Sequence, residues 1–443
     1  MIFKRNRPHV AIIGAGFCGL AAGYELSKRG VNVTLFEAEP EIGGLSSAFQ
    51  VNGARLEKFY HHWFNNDEQV MALIDEIGMQ NQVLLRTTRT GLYYAHTFFK
   101  LSTPLDVLRF KPLPLIDRFR LGLLALYARR ITNWRQLENM TASEWLRQMG
   151  GEKVFKVVWE PLLRGKFGMY ANEVSAVWFW NKLKLRGGSR GKGGGEQLVY
   201  YRGGFAALAD QLALQIESNG GRILVRNAVN GLLVKDGKVT ELHAAGEKLK
   251  VDAVIATPAL PIIADLIESH VTQRYVEQLR RIKYLGNVCL VLELDTGLSD
   301  IYWLNVNEPD FPYVGIIEHT NFEPPDTYGG HHIVYLSKYL NSTDDLFRLR
   351  DDELLQFTIP YLRRMFPGFE QKWVLAHHVW RSHYSQPVIE RNFSQLVPDH
   401  ETPLRNFYIA TMAQIYPEDR GTNYAIREGR NMGSLVAQAL FAE

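Results

Sequence analysis

Three glycines near the start of the chain carry its clearest chemistry. Gly14-Ala15-Gly16-Phe17-Cys18-Gly19 follows an apolar run from His9 to Ile13 and precedes Leu20 to Arg29, whose apolar positions recur at helical spacing. A second apolar run, Val31 to Phe36, ends on Glu37, 23 residues after Gly14. Strand, glycine turn, helix and strand in that order make a cradle for a dinucleotide. Gly14 permits the tight turn, Gly16 lets backbone approach a diphosphate, and Gly19 lets the helix lie close on the sheet. The diphosphate belongs at the helix N-terminus, where unpaired amides and the helix dipole favour negative charge. Glu37 is placed to accept bonds from ribose hydroxyls. A glycine-rich turn without a ligand is the plainer alternative, and it leaves the surrounding pattern unexplained.

The residues that follow separate one dinucleotide from another. Glu39-Pro40-Glu41-Ile42-Gly43-Gly44-Leu45-Ser46-Ser47 sets a second glycine pair where another backbone segment can meet the same diphosphate. This stretch resembles the extended fingerprint of the FAD superfamily of amine oxidases, phytoene desaturases and protoporphyrinogen oxidases. The resemblance implies FAD as cofactor, held by an α/β Rossmann-type domain, with a second, mixed α+β substrate domain built from insertions. It assigns Gly14, Gly16, Gly19, Glu37, Ala38, Gly43, Gly44, Leu45 and Ser46 to the cofactor. Further along, it implies that Val229 offers its backbone to the adenine and that Thr257 ends a strand beside the cofactor. Gly421, Thr422, Asn423, Tyr424 and Ala425 then carry the flavin ring and ribityl chain on a helix N-terminus. Two positions depart from the family pattern. An arginine often follows the paired glycines, where this chain has Leu45, and the usual Gly-Asp pair is Thr411-Met412. Met412 thus stands where a carboxylate would bind the ribityl–phosphate region, leaving Glu418, Asp419 or a backbone amide to replace it.

Flavin chemistry resides mainly in the cofactor, so the protein needs orientation and a water-excluding pocket more than a nucleophile. No strong catalytic motif is present. Glu57 to Trp63 corresponds to the stretch that passes close to the flavin in relatives, and His61 matches a histidine found there. An imidazole near neutral pKa can polarise a ring or shuttle a proton; the alternative is a histidine hydrogen-bonded in a buried turn. Tyr416 and Arg420 are candidates for the flavin's edge, with loop packing as the alternative. Val177-Trp178-Phe179-Trp180 reads either as a tunnel wall or as core. No His, Cys and carboxylate grouping has metal-ligand spacing.

These residues need two interleaved domains to bring them together, and 443 residues suit that number. The FAD-binding domain is expected from 1–60, 196–260 and 400–443, and the substrate domain from 61–195 and 261–399. The 61–195 insertion is expected to be mostly helical. Arg222 to Val229 and Leu232 to Val239 read as two strands joined by a hairpin at Lys235-Asp236-Gly237-Lys238. Asn287 to Leu294, His332 to Leu336 and Asn406 to Ala410 are strand-like; Asp351 to Met365 and Gly421 to Ala437 are helical. Gly187 to Gly195 reads as a mobile lid or connector in preference to a second phosphate loop. With no second nucleotide fold there is no dedicated NAD(P)H domain, and the electron donor or acceptor stays unidentified.

Composition bounds the rest. With 46% hydrophobic and 22% charged residues the chain is an ordered globular one, and a net charge of +3 gives no argument for nucleic acid. Two distant cysteines, Cys18 and Cys289, suit a reducing cytoplasm. No apolar stretch approaches the ~20 residues of a membrane span. Leu101 to Arg130 nevertheless alternates large apolar residues with arginines, which suits a surface lying in lipid headgroups; a buried helical lobe is the alternative. The leading functional reading is hydride transfer between flavin and a hydrophobic, isoprenoid or lipid-like substrate, as desaturase, oxidase or reductase. An amine oxidase, a redox-neutral sugar-nucleotide mutase and a prenyl-binding protein without activity are the others.

Overall fold

His9–Ile13 is apolar after its first residue because both faces of its sheet are covered: Val10, Ala11 and Ile12 have no exposed surface. The computed structural model describes residues 7–100, 103–188 and 196–442. Within them lies a five-stranded parallel sheet in the order Arg222–Leu224, Asn32–Phe36, His9–Ile13, Ala253–Ala256, Phe407–Ile409. On one face, Val10 and Ile12 pack with residues of Phe17–Ser27, Gly204–Ser218 and the last helix, Thr422–Ala442. On the other, Ala11 and Ile13 meet Leu232 and Leu242 of a three-stranded antiparallel sheet and Leu260 of a short helix. The chain leaves the central strand in both directions, which opens a crevice at the strands' carboxyl ends.

The first helix, Phe17–Ser27, is buried at every position except Cys18, sandwiched between sheet and last helix. Glycines make that approach possible. A Cβ at Gly19 would stand 1.9 Å from the Gly14 carbonyl oxygen, and one at Gly429 would stand 2.2 Å from that of Cys18.

A seven-stranded mixed sheet faces the crevice, in the order Val374–Pro387, Tyr284–Leu294, His332–Leu340, Gly315–Glu318, Trp303–Val306, Thr90–Tyr94, Thr97–Lys100. Asp351–Met365 covers its far side through Leu354, Ile359 and Leu362. The helices Leu115–Arg130, Ala142–Gly150, Glu160–Phe167 and Ala176–Gly188 form a neighbouring lobe.

One expectation is corrected and one alternative is decided. The hairpin joins Val229–Lys235 to Lys238–Ala244 through Asp236-Gly237, while Arg222–Leu224 is a separate strand of the parallel sheet. The break falls after Leu224, because Arg226 and Asn227 bond back to the carbonyls of Glu39 and Glu37. Residues 61–195 are mostly helical, with the strands Thr90–Tyr94 and Thr97–Lys100 extending the seven-stranded sheet. Within Val177 to Trp180 no residue is more than 6% exposed, so this run is core and not a tunnel wall. Of the glycine-rich Gly187 to Gly195, residues 189–195 lie outside the described part of the chain.

Candidate active site

The crevice between the parallel and seven-stranded sheets is a single cavity of 890 Å³. At its floor, Gly14 takes a φ of +94°, and its N–H donates to the Phe36 carbonyl at 2.8 Å. Gly43, at φ +103°, donates to the Ala15 carbonyl at 2.8 Å, which draws the second glycine segment against the first. A Cβ on Gly16 would lie 3.7 Å from the Gly44 Cα, so the two backbones face each other with no side chain between. No side chain caps the first helix, and Gly16, Phe17 and Cys18 line the cavity at its N-terminus. Its first-turn amides have no intrahelical acceptors. This floor fits a dinucleotide diphosphate in shape and polarity.

Glu37 is 8% exposed and holds the floor in place: its carboxylate accepts from Ala15 N–H at 2.8 Å and Glu39 N–H at 3.0 Å. Ala38, Leu45, Ser46, Val229 and Thr257 also line the cavity, and the Thr257 hydroxyl donates to the Ile13 carbonyl at 2.9 Å. Gly19 is not among the lining residues; it faces the Gly14 carbonyl and sets helix packing. Met412 lines the cavity without a charge. Of the two acids left to replace the missing carboxylate, Glu418 is turned to Arg427 at 3.1 Å, whereas Asp419 is a buried lining residue.

The last helix begins at the cavity, with Gly421, Thr422, Asn423, Tyr424 and Ala425 on its wall. Two of these side chains are engaged in fixing neighbouring backbone and side chain. Thr422 Oγ1 accepts from Trp63 Nε1 at 2.6 Å, and Asn423 Oδ1 accepts from Val70 N–H at 3.0 Å. The helix N-terminus therefore meets a ligand mainly through its backbone.

His61 lines the cavity. Its Nδ1 can only donate to the Phe59 carbonyl, at 2.5 Å, which leaves Nε2 as an acceptor. Burial pulls its pKa down to about 4, with Arg420 and His62 adding to the effect and the Phe59 bond opposing it. His61 is thus neutral at physiological pH. Its folded-state value lies below the unfolded one, so its contribution to stability is complete above the unfolded pKa and is lost as pH falls toward about 4. In histidine-labelled protein the resonance missing from a His61→Gln variant should show no titration between about pH 5 and 8; a midpoint near the unperturbed value would contradict this.

Tyr416 is corrected outright. Its ring packs on Trp134 and Phe393 at 5.0 and 5.5 Å, its hydroxyl bonds Glu138 at 3.2 Å, and it is not among the lining residues. The opposite wall belongs to the seven-stranded sheet: Asn287, Trp303, Ser337, Tyr339, and Trp380 through Ser385. Sequence reasoning missed this wall, as it missed Lys182, because nothing in a strand's apolar alternation marks which residues will border a cavity.

The same fold recurs in known proteins. Zeta-carotene desaturase of Zea mays is 23% identical over 476 residues, covering 92% of this chain and 80% of that protein. Among solved structures, an oxidoreductase from Methanosarcina mazei superposes with a TM-score of 0.74 at 20% identity, covering 97% of this chain and 100% of that one. Reduced UDP-galactopyranose mutase gives 0.74 at 15% identity, covering 98% and 96%. The family model of flavin-containing amine oxidoreductases matches residues 17–432, nearly the whole span that builds the cradle, the wall and the last helix. The chain belongs to that family and is a flavin-dependent oxidoreductase with FAD as its cofactor.

Proposed function

We propose that this oxidoreductase acts on a substrate with a large apolar part, isoprenoid or lipid-like, and that it meets this substrate at a membrane surface. The observation that carries the substrate reading is the continuity of the cavity. The glycine floor and the aromatic side chains Tyr60, His62, Trp303, Trp380 and Tyr384 border the same space. Bound there by Gly14, Gly16, Gly43, Gly44 and the start of the last helix, FAD supplies the hydride-accepting or hydride-donating centre. The chain's own part is to orient an apolar skeleton against the aromatic wall, exclude water, and hold an uncharged acceptor at His61 Nε2. The resemblance to zeta-carotene desaturase supports the apolar class. Anaerobic mixing of the yellow enzyme with isoprenoid-chain compounds should bleach or shift the flavin spectrum, and short amines should not. Bleaching by amines alone would overturn the reading.

The surface reading rests on an exposed apolar face. Leu115, Ile116, Phe119, Leu123 and Leu126 are each 55–63% exposed along Leu115–Arg130, while Leu121, Leu124 and Ala128 on the other side are buried. Leu105 and Leu108 of the preceding helix, Pro104–Arg109, continue the face at 51% and 40%. Arg109, Arg120, Arg129 and Arg130 are exposed around it, as anionic headgroups require. Arg118 works differently, donating to the Leu113 and Leu108 carbonyls at 2.7 and 2.6 Å and so clasping the two helices together. Among the described residues no helix is long and apolar enough to cross a membrane. The two free cysteines, Cys289 buried and Cys18 largely so, fit the cytoplasmic side. The enzyme should float with phosphatidylglycerol vesicles, and Phe119→Glu with Leu123→Glu should cut the bound fraction by about tenfold or more. Flotation unchanged by these substitutions would reject the assignment.

A further inference from the structure

At the start of the last helix, three cations gather around one carboxylate. Asp419 is 5% exposed; its Oδ2 lies 2.6 Å from Lys182 Nζ and 3.6 Å from Lys166 Nζ, and its Oδ1 accepts from Gln386 Nε2 at 3.2 Å. Arg420, the next residue, donates to Gln386 Oε1 at 3.2 Å and to the Tyr339 hydroxyl at 2.8 Å. Lys166 also lies over the Trp178 and Tyr339 rings at 4.8 and 5.3 Å. The participants come from the helices Glu160–Phe167 and Ala176–Gly188, the segment before the last helix, and two strands of the seven-stranded sheet. Lys182, Tyr339, Asp419 and Arg420 border the cavity.

Three cationic side chains face two carboxyls, Asp419 and the neighbouring Asp67, whose carboxyl burial pushes up to about 6, so the positive excess is at most the charge that Lys166 carries. Burial pulls Lys166 down to about 7, with Lys182 and Arg420 adding to it and Asp419 opposing. Burial alone would raise Asp419, but Lys182, Lys166 and Arg420 outweigh it and hold the carboxylate far below its usual range. A further oxyanion beside Lys182 and Arg420 would favour the protonated form of Lys166, since a nearby negative charge stabilises a charged amine. A second feature lies on the same wall: Ser385, adjacent to Gln386, is 2% exposed and its hydroxyl has no hydrogen-bond partner among the described residues.

We propose that Lys182 and Arg420, backed by Lys166 and joined by Ser385, seat the oxyanion head group of the substrate, a carboxylate or phosphate, whose apolar body lies along the aromatic wall. This inference rests on the reading of the cavity as the site for an apolar substrate and deepens it: the substrate is an anionic amphiphile. Charge-assisted bonds to a desolvated oxyanion are the strong ones, and a lysine or arginine serves either anion.

The test uses the FAD-loaded enzyme and four twelve-carbon probes: dodecyl phosphate, dodecanoate, dodecanol and dodecyltrimethylammonium. Binding is read from the perturbation of the flavin spectrum, which reports on the cavity and not on the outer apolar face. At least one anionic probe should bind about tenfold or more tighter than dodecanol, and the ammonium weakest. Which anion binds tighter identifies the head group. Lys182→Gln should erase the preference and Lys182→Arg should keep it, with bound flavin confirming in both that the fold is intact. Equal binding of phosphate, carboxylate and alcohol by the yellow enzyme would overturn the head-group site while leaving the apolar reading in place. Failure of every twelve-carbon probe to bind would overturn the apolar reading itself. Should Lys182→Gln shift the flavin's reduction midpoint yet leave the preference for an anion untouched, the cations serve the cofactor and the proposal is wrong.

Discussion

Gly16→Glu is expected to yield a colourless chain that still folds. Gly16 has φ −71° and ψ 176°, a conformation open to any residue, and its Cβ position meets nothing nearer than the Gly44 Cα at 3.7 Å. The backbone thus tolerates a side chain, but that side chain has only the cavity to enter. A carboxylate there occupies the diphosphate's place with the same sign of charge. Two like charges about 4 Å apart cost about 4 kcal/mol at an effective dielectric near 20, or roughly a thousandfold in affinity. Visible flavin absorbance per mole of purified protein should fall to background, while circular dichroism and the melting midpoint of the apoprotein stay at the wild-type values. A yellow Gly16→Glu protein would place the diphosphate elsewhere.

The second large effect is structural and reaches the site indirectly. At Gly429 a single methyl would lie 2.2 Å from the Cys18 carbonyl oxygen and 2.9 Å from the Ala21 Cβ. Both obstacles belong to the first helix, which is itself pressed on the parallel sheet, so neither can retreat without parting the helices. Overpacking of this kind costs about 3 kcal/mol, a large share of the 5–15 kcal/mol that holds a typical domain. Gly429→Ala should therefore lower the urea midpoint of the apoprotein markedly. It should also weaken FAD, because the last helix presents its N-terminus to the cavity. Gly421→Ala is the contrast: its Cβ would meet only the Tyr424 ring, at 3.9 Å, and stability should barely change. Equal midpoints for the two variants would show that the helix contact matters less than its geometry implies.

Legibility in the sequence followed the range of the interaction. The glycine floor could be read because each of its residues acts on a neighbour a few positions away: a turn at Gly14, a close approach at Gly16, a helix start after it. Asp351–Met365 emerged at its expected ends for the same reason, since helical periodicity is local. The hairpin turn at Asp236-Gly237 was legible, but its first strand was begun too early, because strand propensity does not say which sheet a strand joins, and Arg222–Leu224 joins the parallel one. Tyr416 was misassigned because proximity in sequence to the last helix says nothing of direction; Trp134 and Phe393, remote in sequence, hold its ring away from the cavity. The cluster of Lys166, Lys182, Asp419 and Gln386 had no local signature. Its members meet only after two helices and a sheet have packed. Arg118 looked like a surface cation until its two carbonyl acceptors placed it between helices.

A crystal structure of the FAD-loaded enzyme is the most direct test of the cradle. The diphosphate should lie between Gly16 and the Gly43-Gly44 pair at the start of the first helix. The flavin ring should lie beside Thr422 and Asn423, on the side of the cavity bordered by His61. Diphosphate density away from Gly16, or a ring lodged outside the space between the two sheets, would contradict it.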